Sequence, residues 1–141
     1  MCGIVGFAAR GELQADRLPL AMAALQHRGP DGRGESIEGQ VALGHTRLSI
    51  IDLEGGAQPL RSPCGRYVLI ANGEIYNHVE LRQELSALGA QFLTGSDCEV
   101  ILQGYALWGR DVLRRIEGMY CLLYTSPSPR DRSLSRMPSS A

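Results

Sequence analysis

The chain opens with the stretch Met1-Cys2-Gly3-Ile4-Val5-Gly6-Phe7-Ala8. Its short apolar run predicts a buried strand over residues 2–8. Removal of Met1 would leave Cys2 as the first residue, so that a free α-amine and a thiol would stand on one residue. An α-amine has an ordinary pKa of about 8 and can serve as the base for a neighbouring nucleophile. The alternative is that Cys2 is a small apolar residue of the strand, and the rest of the chain decides between the two.

The composition is that of a folded, soluble domain. The 141 residues are 44% hydrophobic and 21% charged, and the net charge is −1. These values exclude a disordered chain and give no reason to expect nucleic acid or an anionic membrane as a partner. No apolar run approaches the roughly 20 residues of a membrane span, and the N-terminus lacks the pattern of a secretory signal. We therefore expect a cytoplasmic protein.

The spacing of apolar residues predicts a mixed α and β domain without regular βαβ units. The predicted strands are residues 2–8, 41–51 and 67–71, and the predicted helices are residues 16–26, 77–88 and 96–108. Asn77 is the expected N-cap of the second helix. The run Ser96-Asp97-Cys98-Glu99 has the form of a capping box, which starts the third helix at Ser96. Residues 27–32 predict a loop, and residues 110–116 extend the last helical region.

The other cysteines suggest no metal site. Cys64, Cys98 and Cys121 form no CxxC pair, and no histidine cluster has the spacing of zinc ligands. We expect no metal and no disulfide framework.

Six motifs occur in order over residues 1 to about 120. They are residues 1–7 (MCGIVGF), 27–32 (HRGPDG), 44–52 (GHTRLSIID), 56–59 (GAQP), 72–78 (NGEIYNH) and 95–100 (GSDCEV). Together they resemble the class II, or N-terminal nucleophile, glutamine amidotransferases, and within that class the amidotransferase domain of glutamine-hydrolysing asparagine synthetases. The resemblance implies an α+β fold, the αββα sandwich of N-terminal nucleophile hydrolases, here incomplete.

The resemblance assigns the catalytic residues. It makes Cys2 the nucleophile, and it makes the Asn72 side-chain amide and the Gly73 backbone N–H the oxyanion hole. A fixed donor of this kind contributes about 3 kcal/mol to a tetrahedral intermediate. Without the resemblance, Asn72-Gly73 has the form of a hairpin turn.

The resemblance also assigns the residues that bind glutamine. Arg47, helped by backbone groups of Ile50, would bind the α-carboxylate, and Glu74 and Asp97 would bind the ammonium group. Asn72 and Gly73 belong to this binding set too. The alternatives are an edge-strand surface position for Arg47 and a helix-dipole role for Asp97.

The loop over residues 27–32 is interpreted as structural, with Arg28 and Asp31 as a candidate pair. No catalytic role is assigned to His27, His45 or His78, because the terminal amine supplies the base. Leu48 follows Arg47, where glucosamine-phosphate synthases have Trp, and this favours the asparagine-synthetase group.

The end of the chain differs in composition from the rest. Residues 121–141 contain no glycine, although the chain has 17. Back-translation of residues 121–131 and 135–141 resembles two stretches of a sequencing-library adapter. We therefore predict an amidotransferase part over residues 2–120 and a non-native, disordered tail over residues 121–141, although the apolar residues 121–124 stand where the family has a strand. The alternative is a natural Ser/Pro-rich tail.

The resemblance implies hydrolysis of glutamine to glutamate and ammonia, which the parent protein would use for ATP-dependent amidation of aspartate. ATP and Mg²⁺ would bind in a synthetase domain outside this chain, which itself needs no cofactor. L-glutamine is the expected partner, and the parent is a candidate homodimer. The alternatives are a related enzyme with another acceptor and an inactive truncated fragment.

Overall fold

The computed structural model describes residues 1–49 and 56–125. Its strands are β1 (Gly3–Ala8), β2 (Gly32–Glu38), β3 (Val41–Arg47), β4 (Leu60–Arg61), β5 (Val68–Ile75) and β6 (Gly118–Thr125). Its helices are α1 (Arg17–Ala24), α2 (His78–Ala87) and α3 (Glu99–Trp108), with 3₁₀ segments at Gln26–Arg28 and Gly109–Arg114. Among these helices, none is long and apolar enough to cross a bilayer.

The strands form two antiparallel sheets of three strands each. The first sheet has the order β1-β3-β2, and the second has the order β4-β5-β6. Strand β5 therefore lies at the centre of the second sheet, but β4 covers only Val68 and Leu69 on one side of it. The later residues of β5 form an open edge on that side.

Successive side chains of a strand point to opposite faces of its sheet, so each sheet packs against a different layer on each face. Leu43 of the first sheet packs with Val68 and Ile70 of the second, so these side chains fill the space between the sheets. The neighbouring Ala42 instead packs against Leu18 of α1.

The opposite face of the second sheet is also buried. Leu69, Ala71 and Ile75 share a core cluster with Leu85 of α2 and Val100 of α3. The layers are therefore α1, first sheet, second sheet, and α2 with α3. This is the αββα order expected of an N-terminal nucleophile hydrolase, and the predicted fold class is confirmed.

The predicted start of α3 is wrong. The helix begins at Glu99, and Cys98 occupies the N-cap position without a side-chain capping bond. The Glu99 carboxylate does not return to Ser96, because it accepts hydrogen bonds from the backbone N–H groups of Leu93 and Thr94. Glu99 thus holds the preceding loop instead of closing a capping box.

Asn77 stands at the N-cap position of α2, as predicted, but its side chain makes no capping bond. Its amide donates to the Arg115 carbonyl over 2.8 Å and accepts from the Glu117 N–H over 2.9 Å. Asn77 therefore joins the start of α2 to the segment that enters β6.

The alternative of a hairpin turn at Asn72-Gly73 is excluded, because both residues lie inside β5 and pair with β6. Strand β2 was not predicted, since its polar sequence GRGESIE has few apolar positions. Strand β6 extends to Thr125, and its backbone completes the ladder with β5, in agreement with the observation that residues 121–124 stand where the family has a strand. Residues 126–141 lie outside the described residues, and the origin of this tail stays a prediction.

His45 joins the two sheets. Its side chain is 1% exposed, and its Nε2 lies 3.2 Å from the Ala71 carbonyl oxygen of β5. Burial lowers the pKa of His45 from 6.5 to about 4, with a smaller contribution from the charge of Arg47 and an opposing one from the Ala71 carbonyl. The ring is therefore neutral at pH 7, and Nε2 donates to Ala71.

This burial predicts an acid-sensitive contribution to stability. Below its ordinary pKa of 6.5, His45 takes up a proton in the unfolded chain but not in the folded one, so acid favours unfolding until the pH nears 4. Between pH 7.5 and pH 5 we expect a loss of about 2 kcal/mol from this residue. Urea unfolding, followed by the fluorescence of Trp108, should show a steeper fall for the wild type than for His45→Gln. Parallel pH profiles of the two proteins would contradict the assignment.

Candidate active site

The ladder of the first sheet places Cys2 beside Arg47. Gly3 pairs with Thr46 and Ile4 with His45, so one further step of the same register sets Cys2 opposite Arg47. Ile4 packs in the inter-sheet cluster. Because side chains alternate along a strand, Cys2 and Arg47 both point into the space between the sheets.

The same argument places Asn72 at this space. Val68 and Ile70 of β5 face the first sheet, and Asn72 is the next residue on that face. The structure therefore brings together Cys2, Arg47 and Asn72, which are far apart in sequence, at one end of the inter-sheet gap.

The Cys2 sulfur is held by the backbone that follows Arg47. The Leu48 N–H donates to Sγ over 3.4 Å, and Sγ lies 3.6 Å from the Leu48 carbonyl oxygen. These two contacts fix the position of the sulfur beside the backbone of Leu48. The contact with Leu48 was not predicted, because it involves backbone atoms that no motif reveals.

The loop over residues 27–32 supports this arrangement. Arg28 Nε donates to the Cys2 carbonyl over 3.2 Å. Asp31 accepts from the Ser49 N–H over 2.8 Å, and its own N–H donates to the Arg47 carbonyl over 2.9 Å. The suggested pairing of Arg28 with Asp31 is therefore wrong, because each side chain positions a different backbone segment of the site.

The open edge of β5 carries a row of backbone donors. Tyr76 N–H donates to the Glu117 carbonyl beside β6 over 2.7 Å. Because donors in an antiparallel ladder alternate between the two sides, the N–H groups of Ala71, Gly73 and Ile75 point away from β6.

Side chains satisfy the two outer donors of this row. The Ala71 N–H donates to Gln58 Oε1 over 2.6 Å, and the Ile75 N–H donates to Asp97 Oδ2 over 2.7 Å. The middle donor is the Gly73 N–H, which points to the same open edge, between these two contacts. This is the donor that the family resemblance assigns to the oxyanion hole.

Asp97 lies beyond Gly73 along the same edge. Its side chain is 4% exposed, and its contact with Ile75 sets it one two-residue repeat, about 7 Å, from the level of Gly73. Glu74 is exposed and precedes Ile75 in β5. Both predicted ammonium ligands thus lie past Gly73, on the side away from Ala71.

The Cys98 thiol is buried beside Asp97. Burial raises the pKa of Cys98, and the negative charge of Asp97 and a hydrogen bond to its carboxylate raise it further, with a smaller contribution from Cys2. Cys98 therefore stays protonated and can donate to Asp97.

Not all predicted residues can be placed. Ile50 lies outside the described residues, and Arg47 makes a further interaction in addition to its ladder. Gln58 belongs to the motif over residues 56–59, for which the sequence predicts no individual role. In the structure its side chain accepts the hydrogen bond of the Ala71 N–H. In the part of the chain that the structure describes, no three His, Cys, Asp or Glu side chains are grouped closely enough to hold a metal ion.

The fold and this site define an N-terminal nucleophile amidotransferase arrangement, with a cysteine at the start of the first sheet and backbone donors on the second. The family described as "Glutamine amidotransferase domain" matches residues 1–136. The chain belongs to this family. The match extends past residue 120, where the sequence analysis places the end of the amidotransferase part.

The chain is similar to proteins named asparagine synthetase, two of which come from Escherichia coli and Bacillus subtilis. The chain is 43% identical over 133 residues to asparagine synthetase B [glutamine-hydrolyzing] of Escherichia coli, covering 89% of this chain and 23% of that protein. It is 41% identical over 128 residues to asparagine synthetase [glutamine-hydrolyzing] 1 of Bacillus subtilis, covering 87% of this chain and 20% of that protein. The chain thus spans less than a quarter of the length of these relatives.

A solved structure shows the same fold. Glutamine phosphoribosylpyrophosphate amidotransferase from B. subtilis, determined with ADP and GMP, matches with a TM-score of 0.72 and 24% identity. The match covers 87% of this chain and 35% of that one.

The packing of β5 against β6 makes Gly73 sensitive to substitution. A Cβ at this position would lie 2.2 Å from the Met119 carbonyl oxygen and 2.5 Å from Tyr120 Cα, both backbone atoms of β6. We expect Gly73→Ala to lower the free energy of unfolding by about 1–3 kcal/mol. The control is Gly11→Ala, since nothing lies within 4 Å of a Cβ there. Equal urea midpoints for the two variants would show that the strands do not approach as described.

Proposed function

We propose that this chain carries the glutaminase site of a glutamine-dependent amidotransferase, which hydrolyses the side-chain amide of L-glutamine to glutamate and ammonia. The observation that carries the proposal is the row of donors on β5. The Gly73 N–H points out from the open edge of β5, between the contacts of Gln58 and Asp97, at the end of the inter-sheet gap that holds Cys2.

The chemistry requires a nucleophile, a base and an oxyanion hole. After removal of Met1, the α-amine of Cys2 takes the thiol proton, and the sulfur attacks the amide carbon of glutamine. The Gly73 N–H and the Asn72 side chain stabilise the oxyanion. The amine returns the proton to the leaving nitrogen, ammonia departs, and water hydrolyses the thioester to release glutamate and restore the thiol.

Charged residues on the two sides of the bound glutamine select a free amino acid. Arg47, beside Cys2 in the register, binds the α-carboxylate, with Ile50 as a further backbone contact. Asp97 and Glu74 bind the α-ammonium group. Gly73 and Ile75, whose N–H binds Asp97, are about 7 Å apart along the edge of β5. This distance is comparable with the length of a glutamine molecule.

For the whole protein we propose a glutamine-hydrolysing asparagine synthetase of the cytoplasm. The names and identities of the relatives support this proposal. The ammonia would amidate aspartate, activated with ATP and Mg²⁺ in a part of the protein outside this chain, and the parent would form a homodimer. A related enzyme with a different acceptor uses the same glutaminase site, so the acceptor is tested separately, by which carboxylic acid is amidated with ammonia and ATP.

Removal of the Cys2 thiol tests the proposed nucleophile. In the full-length protein, Cys2→Ala should abolish glutamate release from glutamine, because no thiol is left to form the thioester. Synthesis driven by added ammonia should continue, since that step needs no glutaminase. The control is Cys64→Ala, because Cys64 is exposed and lies outside the site. Retained glutaminase activity in Cys2→Ala would refute the proposal.

Substitution of Arg47 and Asp97 tests the proposed binding of the charged groups of glutamine. Arg47→Lys and Asp97→Asn should each raise the KM for glutamine by at least about 10-fold, since each removes a charged hydrogen bond worth roughly 1.5–3 kcal/mol. Arg66→Lys and Asp111→Asn change exposed residues outside the site and serve as controls. Glutamine saturation curves that match the wild type for both site variants would show that the binding roles are misassigned.

A further inference from the structure

The loop over residues 93–97 is held by two helices, and one of its carboxylates contacts the sheet. The Asp97 side chain accepts from the Ile75 N–H of β5 over 2.7 Å. Side chains of α2 and α3 bind other polar groups of the loop, and the Val100 N–H of α3 donates to the Asp97 carbonyl over 3.3 Å. The position of Asp97 therefore depends on how the helices hold the loop.

Glu99 of α3 holds the beginning of the loop. It is 1% exposed, and its carboxylate accepts from the Leu93 N–H over 2.7 Å and from the Thr94 N–H over 2.8 Å. The Thr94 hydroxyl donates to the same carboxylate over 2.7 Å and accepts from the Ser96 N–H over 3.2 Å. A buried charge thus connects through Thr94 to the residue that precedes Asp97.

Arg82 of α2 holds the carbonyl groups of the same loop. Its two terminal nitrogens donate to the Thr94 carbonyl over 3.0 Å and to the Ser96 carbonyl over 2.8 Å. Its guanidinium lies 4.2 Å from the centre of the Phe92 ring, which fixes the plane of the fork. The Glu99 carboxylate therefore binds N–H groups of the loop, and the Arg82 guanidinium binds its carbonyl groups.

We propose that Arg82, Thr94 and Glu99 are positioning residues that set the affinity of the site for the α-ammonium group of the substrate, by fixing where the Asp97 carboxylate lies along the edge of β5, one two-residue repeat past Gly73. The inference rests on the proposed glutaminase function. None of the three residues contacts Cys2 or the oxyanion donors, so the reactivity of the nucleophile is independent of them.

The chain offers matched controls. Arg115 resembles Arg82, because its guanidinium lies 4.1 Å from the Trp108 ring centre and pairs with Glu84, but its side chain does not contact the loop. Arg82→Met is therefore compared with Arg115→Met. Thr94→Val removes the hydroxyl relay, and Thr94→Ser keeps it.

The experiment measures how well glutamine protects Cys2 from alkylation by iodoacetamide in the full-length protein, with the N-terminal peptide quantified by mass spectrometry. Iodoacetamide has no ammonium group, so its rate without glutamine reports the nucleophile alone. We expect Arg82→Met and Thr94→Val to need about 10-fold more glutamine for half protection. Their unprotected rates should match the wild type, and Arg115→Met and Thr94→Ser should match it throughout.

A second arm repeats both variants in an Asp97→Asn background. If they act through Asp97, their effect on protection disappears there; an undiminished effect would overturn the inference, as would wild-type protection curves for both single variants. The proposed function fails separately, if glutamine does not protect the wild-type protein. Melting curves identify a variant that does not fold, and Thr94→Val changes the loop without removing a charge.

Discussion

The site depends on the satisfaction of backbone donors along one exposed edge of β5. Strand β4 covers only the first two residues of β5, and the N–H groups of the later residues on that side need other acceptors. Gln58 supplies one at Ala71 and Asp97 supplies another at Ile75. The N–H donor of Gly73 lies between them, and we propose the substrate oxyanion as its acceptor.

The same constraint explains why distant segments meet here. Gln58 comes from the segment before β4, Asp97 from the loop before α3, and Cys2 from the start of the first sheet. Each is held by polar contacts with backbone atoms, such as that of Arg28 with the Cys2 carbonyl. The residues of the proposed site therefore come from separate segments of the chain, which the neighbouring strands and helices hold in place.

Much of the fold could be predicted from the sequence, whereas the roles of the candidate residues stay predictions. The apolar periodicity of β1, β3 and the helices indicates elements that bury a face, and the motif residues meet because the register brings Cys2 opposite Arg47. The errors involve polar groups with long-range partners. Glu99 and Asn77 have the spacing of helix caps, but residues elsewhere in the chain compete for their side chains. Strand β2 owes its place to pairing with β3 rather than to its own apolar content.

The most direct test of the account is a structure of the full-length protein after its Cys2 has reacted with the diazoketone analogue of glutamine, 6-diazo-5-oxo-L-norleucine. The account predicts a covalent bond to the Cys2 sulfur, with the carbonyl oxygen of the adduct accepting from the Gly73 N–H and the Asn72 amide. The α-carboxylate should contact Arg47, and the α-ammonium group should contact Asp97. An adduct whose carbonyl oxygen points away from β5, with Gly73 bonded to another protein group, would contradict it.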